Sequence, residues 1–256
     1  MKNLKEYILE SLLDDEEDLI DNDDAIIRDF LKKNYKINGS YIIKNNVVDV
    51  KGYVIIKNNG IASLTNGLFK FGKVSGYFLC HNCPKLTSLE GAPEFVGGDF
   101  KCSHCKSLTS LEGAPEFVGG NFDCSDCKSL TSLKGAPKEV DGYFYCSECE
   151  SLKTLEGAPK YVKMSFNCSS CPKLTSLEGA PKEVEGYFNC AGCDSLETLK
   201  GSPKKVGVSF YCYSCLKLTS LKGAPKEIGG SFDCSRCPKL TSLEGAPKAK
   251  KIYSDL

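Results

Sequence analysis

A pattern of hydrophobic and polar positions with a period of 22 residues runs through most of the chain. One copy, residues 96–117, reads VGGDFKCSHCKSLTSLEGAPEF, and its phenylalanine recurs without an insertion. The recurring residues are Phe78, Phe100, Phe122, Phe144, Phe166, Phe188, Phe210 and Phe232. A fixed period in the twenties is the signature of a solenoid, in which each coil buries its apolar face only against its neighbours. The pattern therefore predicts stacked coils in one elongated body.

Alternation of apolar residues within each copy indicates a short strand. Phe100 and Cys102 lie two residues apart, so both side chains point to one face of the strand, toward the inside of the coil. Leu108 and Leu111 of the L-x-x-L motif supply further interior contacts. The Gly-Ala-Pro segment at 113–115 has no helical period, which predicts turns or extended chain in the return arm. Such coils stack at about the 4.8 Å strand spacing and form one parallel sheet.

Three other segments flank or precede the regular repeats. Residues 1–36 show helical apolar spacing on both sides of an acidic run, which we interpret as a solvated linker within a helical N-terminal cap or targeting segment. Residues 37–73 contain YIIKNNVV and VIIKNNGI, which we interpret as two degenerate, cysteine-free repeats. Residues 74–247 hold eight 22-residue C-x-x-C repeats, and residues 248–256 form a C-terminal tail.

The repeats resemble those of leucine-rich-repeat proteins. Val54-x-Ile56-x-x-Asn59-x-Ile61 is similar to the core L-x-L-x-x-N-x-L, and Phe100-x-Cys102-x-x-Cys105-x-x-Leu108 is similar to its longer, cysteine-containing form. The usual leading leucine is missing, since a glycine or polar residue stands there. The resemblance covers residues 37–247 and implies a mainly β, right-handed leucine-rich-repeat-like solenoid of about ten coils. It would have one parallel sheet and a small α-helical N-terminal cap.

Charge and hydropathy exclude some partners from this expectation. Lys+Arg and Asp+Glu balance at 33 each, so the composition gives no electrostatic argument for a nucleic-acid partner. No segment reaches the roughly 18 apolar residues of a membrane helix. The N-terminus lacks a basic region followed by an apolar core, so it does not predict a secretory signal. We therefore expect a cytoplasmic protein with reduced thiols, no membrane partner and no nucleic-acid partner.

The sixteen cysteines admit three interpretations. Successive C-x-x-C pairs have the spacing of zinc sites, and iron–sulfur binding is a related alternative. The candidate ligands are Cys80, Cys83, Cys102, Cys105, Cys124, Cys127, Cys146 and Cys149. Alternatively, the pairs pack as buried neutral thiols, or each pair forms a disulfide. We favour packing without a cofactor, because Ile56 and Asn59 replace the pair in a cysteine-free repeat and the two histidines do not recur in register.

Outward positions of the predicted strands vary between copies and are rich in Tyr, Asn and Asp. Tyrosine offers a large contact area with few rotatable bonds, and a solenoid sheet presents such side chains as an extended surface. The predicted partner-binding residues are Tyr77, Asp123, Tyr143, Tyr145, Asn167, Tyr187, Asn189, Tyr211, Tyr213 and Asp233. Drift at solvent-facing strand positions explains the same variation, because tyrosine favours strands. We predict a non-catalytic repeat protein that binds another protein through its strand-bearing face.

Catalytic motifs are missing from the sequence. The only two histidines, His81 and His104, fall in adjacent copies and form no recognisable nucleophile–base order. The Gly-Gly pairs precede predicted strands rather than helices, so they do not indicate a phosphate-binding loop. Near-equivalent thiols single out no nucleophile. We therefore expect no enzymatic activity.

The first residues carry a second resemblance. MKNLKEYILES, residues 1–11, is similar to the capsid-targeting peptides of internal head proteins in large tailed phages. Those peptides open with Met-Lys, contain Glu-(Phe/Tyr)-Ile and are cut after a glutamate preceded two places earlier by an aliphatic residue. The resemblance implies cleavage after Glu10, with Ile8 as the aliphatic residue, although Asn3 and Leu4 depart from the pattern. It also implies packaging in a virion and delivery into the host cytoplasm. An amphipathic helix that caps the solenoid fits the same residues.

Overall fold

A computed structural model describes residues 23–256. Helix α1 spans residues 23–34 and contains Ile27 and Leu31 on its buried face, as the helical spacing predicts. The predicted first helix and the cleavage position after Glu10 lie outside the described residues. Within 23–256, no helix has the length and apolar character needed to cross a bilayer.

Eighteen strands follow α1. They are β1 (Tyr35–Lys44), β2 (Val47–Ile56), β3 (Lys70–Val74), β4 (Phe78–Leu79), β5 (Phe95–Val96), β6 (Phe100–Lys101), β7 (Phe117–Val118), β8 (Phe122–Asp123), β9 (Glu139–Val140), β10 (Phe144–Tyr145), β11 (Tyr161–Val162), β12 (Phe166–Asn167), β13 (Glu183–Val184), β14 (Phe188–Asn189), β15 (Lys205–Val206), β16 (Phe210–Tyr211), β17 (Ser231–Asp233) and β18 (Lys251–Tyr253).

From β2 onward the strands form two parallel ladders within one sheet. Strand β2 begins both ladders, because it pairs in parallel with β3 and with β4. The first ladder contains β2, β4, β6, β8, β10, β12, β14, β16, β17 and β18, and the second contains β2, β3, β5, β7, β9, β11, β13 and β15. Each phenylalanine lies opposite that of the next coil, so Phe144 pairs with Phe122 and Phe166. Ten stacked strands in the first ladder make nine turns. The predicted mainly β solenoid with one parallel sheet and a small N-terminal helix is confirmed.

The interior of the array is built from columns of identical side chains. In the coil of β10, Phe144, Cys146, Cys149 and Leu152 are all fully buried. Phenylalanine rings from Phe78 to Phe210 stack with centroids 5.0–5.6 Å apart and interplanar angles of 6–21°. Full burial of each such ring contributes about 1.5–3 kcal/mol. Because one coil cannot enclose these side chains, the stacking itself supplies the core.

Two backbone positions close each coil. The residue before each second cysteine has a left-handed conformation, for example Asp126 with φ 54° and Glu148 with φ 59°. The glycine of the Gly-Ala-Pro segment also has positive φ, 93° at Gly157. A Cβ on Gly157 would lie 2.5 Å from the Leu133 carbonyl oxygen of the preceding coil. This glycine is therefore required both by conformation and by the close approach of two coils.

The cysteine-free segment does not form two stacked repeats, and this part of the prediction is wrong. Instead, β1 and β2 pair as an antiparallel hairpin. Its two-residue turn is Asn45-Asn46, with φ of 51° and 55°, which asparagine tolerates and which suits the twist of a hairpin. Only β2 enters the ladders, where Val54 lies opposite Phe78 as aligned from the sequence. The hairpin and α1 together cover the first coil.

The C-terminal residues contain a strand that the sequence analysis did not predict. Strand β18 pairs in parallel with β17, and Ile252 lies opposite Phe232. This strand has neither the phenylalanine nor the cysteine of the repeat, and it follows after 20 rather than 22 residues (252 − 232 = 20). Ile252 occupies the phenylalanine position because another apolar side chain can cover the ring below it.

Candidate functional site: the strand-bearing face

Five predicted binding residues come together on the outside of the first ladder. Tyr143 and Tyr145 flank Phe144 on β10, and their rings stack with centroids 5.5 Å apart at an angle of 8°. Contacts continue from Tyr143 to Tyr187 at 6.3 Å, from Tyr187 to Tyr211 at 6.1 Å and from Tyr211 to Tyr213 at 6.5 Å. We name these five residues the tyrosine cluster. It forms a continuous aromatic surface across four coils.

The coil of β12 carries no aromatic residue on this face, and the cluster bridges it. Ser165 occupies the position of Tyr143 in that coil and is only 3% exposed. Its Oγ accepts a hydrogen bond of 2.9 Å from the backbone N–H of Tyr187. Because serine is small, the rings of the neighbouring coils can meet above it. The coil that lacks a tyrosine therefore lies beneath the rings and does not interrupt the cluster.

Two hydroxyl groups of the cluster are held in the protonated form. Partial burial raises the pKa of Tyr145 to about 12, and the neighbouring Tyr187 and Tyr143 hydroxyls add to the shift. Burial also raises the pKa of Tyr187. Tyr145 and Tyr187 therefore offer ring faces and protonated hydroxyl groups, which both donate and accept hydrogen bonds.

The four predicted Asn and Asp residues have a structural role that the sequence analysis missed. Oδ1 of Asp123, Asn167, Asn189 and Asp233 accepts a hydrogen bond of 3.0 Å from the backbone N–H two residues further along. This local bond, an Asx turn, guides each strand into its C-x-x-C bend. The preference for Asn and Asp at this outward position has a backbone explanation, independent of any partner.

Tyr77 lies apart from the tyrosine cluster. Its ring stacks on Tyr53 of β2 with centroids 4.3 Å apart. Asp99 and Asn121 stand at the equivalent position in the two following coils, where their Oδ1 atoms accept bonds from the N–H groups of Asn121 and Tyr143. The structure therefore separates Tyr77 from the other predicted tyrosines.

The cysteines form a hydrogen-bonded ladder inside the array. All sixteen are free and buried. Sγ of Cys105 donates to the carbonyl of Cys80 at 3.2 Å, and Sγ of Cys127 donates in the same way to Cys102. Burial raises the pKa of the Cys146 thiol well above its ordinary value. The hydrogen bond from Cys83 instead lowers the pKa of Cys105, and that from Cys215 lowers the pKa of Cys237. Burial thus favours the protonated thiol at Cys146, whereas a metal ligand must be a thiolate.

The candidate zinc ligands share this environment. Cys80, Cys83, Cys102, Cys105, Cys124, Cys127, Cys146 and Cys149 are each 0% exposed. Among residues 23–256, no group of three or more His, Cys, Asp or Glu side chains is arranged to hold a metal ion.

One polar pair on this face was not predicted. Nδ1 of His104 lies 2.8 Å from Oδ2 of Asp126 in the next coil, and the histidine is exposed. A His–Asp pair orients an imidazole, but covalent catalysis also requires an activated nucleophile beside it. The pair extends the polar surface on the N-terminal side of the tyrosine cluster.

The chain matches no protein-family model, and no significant similarity to a curated protein or a solved structure is found.

Proposed function

We propose that this protein is a non-catalytic recognition module that binds another protein through its strand-bearing face, with the tyrosine cluster at the centre. The observation that carries the proposal is the continuity of the cluster, in which Tyr143, Tyr145, Tyr187, Tyr211 and Tyr213 contact one another across four coils. Tyrosine is enriched at protein interfaces and among the residues that contribute most binding energy.

Rigidity of the scaffold supports this proposal. Tyr143 and Tyr145 flank the buried Phe144, and Tyr211 follows the buried Phe210. The backbones of Tyr145 and Tyr211 are fixed by parallel strand pairing on both sides. A pre-ordered aromatic surface loses little conformational freedom on binding, which favours affinity.

The polar surroundings suit the edge of an interface. Asn167 lies in the bridged coil beside Tyr145, and Asn189 follows the buried Phe188 in the coil of Tyr187. Each amide uses Oδ1 for its own turn, which leaves the N–H groups available to a partner. A partner that covers the rings could accept hydrogen bonds from both amides.

The test is selection of peptide ligands from a random library by the immobilised full chain. Replacement of Tyr143, Tyr187 and Tyr211 by Ser should lower capture of the selected ligands at least about tenfold, because several contact-rich rings are removed. The matched control replaces Phe95 and Phe117, two aromatic residues of the second ladder, by Ser. We expect that control to retain capture.

Two results would contradict the proposal. One is the absence of any enriched ligand for the native chain. The other is an equal loss of capture in the cluster variant and in the second-ladder control, which would indicate a general loss of exposed aromatic surface. Thermal unfolding of both variants checks that the solenoid is intact.

Two further predictions from the sequence, cleavage of the N-terminus and zinc binding by the cysteines, need separate experiments. N-terminal sequencing of the native protein tests cleavage after Glu10: a start at Ser11 supports packaging in a virion and delivery into a host cytoplasm, and an intact Met1 contradicts it.

Elemental analysis alongside thiol titration tests the zinc alternative. Stoichiometric metal with fewer than sixteen titratable thiols would contradict the packing interpretation.

A further inference from the structure

A column of lysines runs along the return arms, away from the tyrosine cluster. Each lysine directly follows the proline of the return arm, in six successive coils, and all six are exposed. The lysine column consists of Lys138, Lys160, Lys182, Lys204, Lys226 and Lys248. Backbone N–H groups of Lys182, Lys204 and Lys248 each donate to the carbonyl of the preceding lysine at 2.8 Å. Neighbouring lysines therefore start about 4.8 Å apart, at the strand spacing.

A second column of charged residues in the same coils has mixed signs and serves as a comparison. The residue after the second leucine of L-x-x-L is also charged in every coil. In chain order these residues are Glu90, Glu112, Lys134, Glu156, Glu178, Lys200, Lys222 and Glu244. The signs are mixed, and Lys134 pairs with Glu112 at 3.7 Å while Lys200 pairs with Glu178 at 2.8 Å. Mixing relieves the repulsion that like charges on adjacent strands otherwise produce.

The middle lysines of the column have no ion pairs of this kind to reduce their mutual repulsion. The ends of the column are paired, Lys138 with Glu116 at 3.1 Å and Lys248 with Glu227 at 3.5 Å. Among residues 23–256, no carboxylate lies within 4.0 Å of Nζ of the four lysines between them. Six like charges in a row, four of them without an ion pair in the described chain, form a linear cationic track.

An apolar groove opens beside the first two lysines of the column. It has a volume of about 490 Å³ and lies between the return arms of two successive coils. Its apolar lining includes Ala136, Pro137, Ala158, Pro159 and Tyr161. Two carboxylates, Glu139 and Asp141, also line it, so the residue of the segment that enters the groove must be uncharged. Tyr161 is 40% exposed. The groove can take an apolar side chain next to the charged track.

We propose that the lysine column and this groove together bind an extended acidic segment of a partner protein. Carboxylates of the segment lie along the lysines, and one apolar side chain of the same segment enters the groove between Ala136, Ala158 and Tyr161. Charge complementarity selects the acidic segment, and the groove sets its position along the track. This surface is independent of the tyrosine cluster.

Neighbouring residues favour a peptide over a nucleic acid. Tyr161 is the single aromatic residue at this position among the six coils, so successive bases would find no stacking platform.

The test measures binding of fluorescent polyglutamate to the full chain by anisotropy. Replacement of Lys160, Lys182, Lys204 and Lys226 by Gln should weaken binding at least about tenfold, because the track loses its unpaired charges. The control replaces four exposed lysines outside the column, Lys106, Lys134, Lys200 and Lys222, by Gln. Both variants have the same net charge. The control should stay within about twofold of the native chain if position rather than net charge governs binding.

A second arm tests the groove. A random copolymer of glutamate and tyrosine should bind the native chain several-fold tighter than polyglutamate, and Tyr161→Ser should remove that preference while leaving polyglutamate binding unchanged. Arginine in place of the four column lysines should retain binding.

Three outcomes would overturn the proposal: equal losses in the column and control variants, no preference for the tyrosine-containing copolymer, or tighter binding of oligothymidylate than of polyglutamate. Equal melting temperatures show that all variants are folded. Failure here leaves the tyrosine cluster untouched, since neither variant alters it.

Discussion

The N-terminal cap, here α1 and the cysteine-free segment (residues 23–73), and the repeat array fill their interiors with aromatic rings in different ways. In the array, consecutive phenylalanines from Phe78 to Phe210 stack at 6–21°, and the last pair, Phe210 and Phe232, is tilted at 35°. In the cap, Phe69 meets Phe30 at 71° and Phe71 at 79°, and Phe71 meets Tyr35 at 73°. Both geometries are favourable for aromatic pairs. Repetition gives the coils from Phe78 to Phe210 one shared ring orientation, whereas closing the end of the stack requires rings that turn across it.

The array and the cap also differ in the hydrogen bonds that satisfy their buried polar groups. The array satisfies carbonyls with thiol donors from the next coil, as in Cys149 to Cys124 at 3.4 Å. The cap contains no cysteine and uses stronger donors: the Tyr35 hydroxyl donates to the Leu64 carbonyl, and Nδ2 of Asn58 donates to Oδ1 of Asn34 at 3.0 Å. Weak thiol hydrogen bonds can be repeated in every identical coil, whereas the single end of the stack is closed by stronger hydroxyl and amide hydrogen bonds.

The largest expected effect comes from raising the pH, which should act first on the buried thiols of the array. In the cysteine-free cap, burial raises the pKa of Tyr35, and a similar loss of stability begins there only above about pH 10. Burial raises the pKa of Cys146, Cys168 and Cys190 well above the ordinary value of 9.0, and that of Cys193 to about 12. Unfolded thiols lose protons above about pH 9 while folded thiols keep theirs, so the free energy of unfolding falls as pH rises from 9 toward 12. Each such thiol contributes about 1.4 kcal/mol per pH unit. Urea unfolding at pH 8, 9 and 10 under reducing conditions measures the slope. A flat profile would contradict the buried-thiol interpretation.

Next in size is truncation of an interior ring. Phe166→Ala should lower the free energy of unfolding by about 3–5 kcal/mol, because it leaves a cavity between two stacked rings. The control is Phe95→Ala, since Phe95 is 39% exposed and stacks on Phe117 outside the coil. Its loss should be about 1 kcal/mol. Equal losses in denaturant unfolding would show that the two ring stacks are energetically alike.

A glycine pair isolates the contribution of coil-on-coil contact. Gly67 in the first coil and Gly157 in the array both have positive φ, 74° and 93°. A Cβ on Gly67 meets nothing within 4 Å, whereas one on Gly157 meets the preceding backbone at 2.5 Å. Alanine at Gly67 should cost about 1 kcal/mol from conformation alone. At Gly157 the clash should add about 1–3 kcal/mol. Thermal unfolding of the two variants compares them directly, and similar values would mean that the coils separate easily.

The smallest expected effect compares the two cysteines of one coil, Cys168 and Cys171. Cys171→Ser should cost less than about 1 kcal/mol, because its Sγ donates to the Cys146 carbonyl at 3.3 Å and a hydroxyl can do the same. Among residues 23–256, Sγ of Cys168 has no acceptor, so Cys168→Ser buries an unpaired hydroxyl at a cost of about 1–3 kcal/mol. The reverse order in denaturant unfolding would contradict the hydrogen-bonded ladder.

The sequence predicts the array well and the cap poorly, for a physical reason. A repeated position must have the same environment in every coil, so Phe166 or Cys168 can be placed from periodicity alone. YIIKNNVV has the alternation of a strand whether it pairs in parallel or in a hairpin, and the only local signal for the hairpin is the Asn45-Asn46 turn. Strand β18, which contains Ile252, adopts the strand conformation of the repeat but lacks its phenylalanine and cysteine residues, so the sequence pattern did not identify it.

The candidate site is partly readable from the sequence. Variation at outward positions identifies the tyrosines, but it cannot distinguish a recognition residue from a turn-forming one. Asn167 and Asn189 serve both descriptions, since their Oδ1 atoms hold local turns while their amides face outward. The lysine column was also visible in the recurring Gly-Ala-Pro-Lys sequence, but its significance depends on which charges lie beside it in neighbouring coils.

The insertion-free repeat also has a consequence for the history of the molecule. Because every coil begins and ends in the same backbone conformation, duplication or deletion of one 22-residue module would leave both junctions chemically unchanged. The protein can therefore change length in single steps, through unequal recombination between its own copies, and each step would shorten or extend both outer surfaces by the same increment.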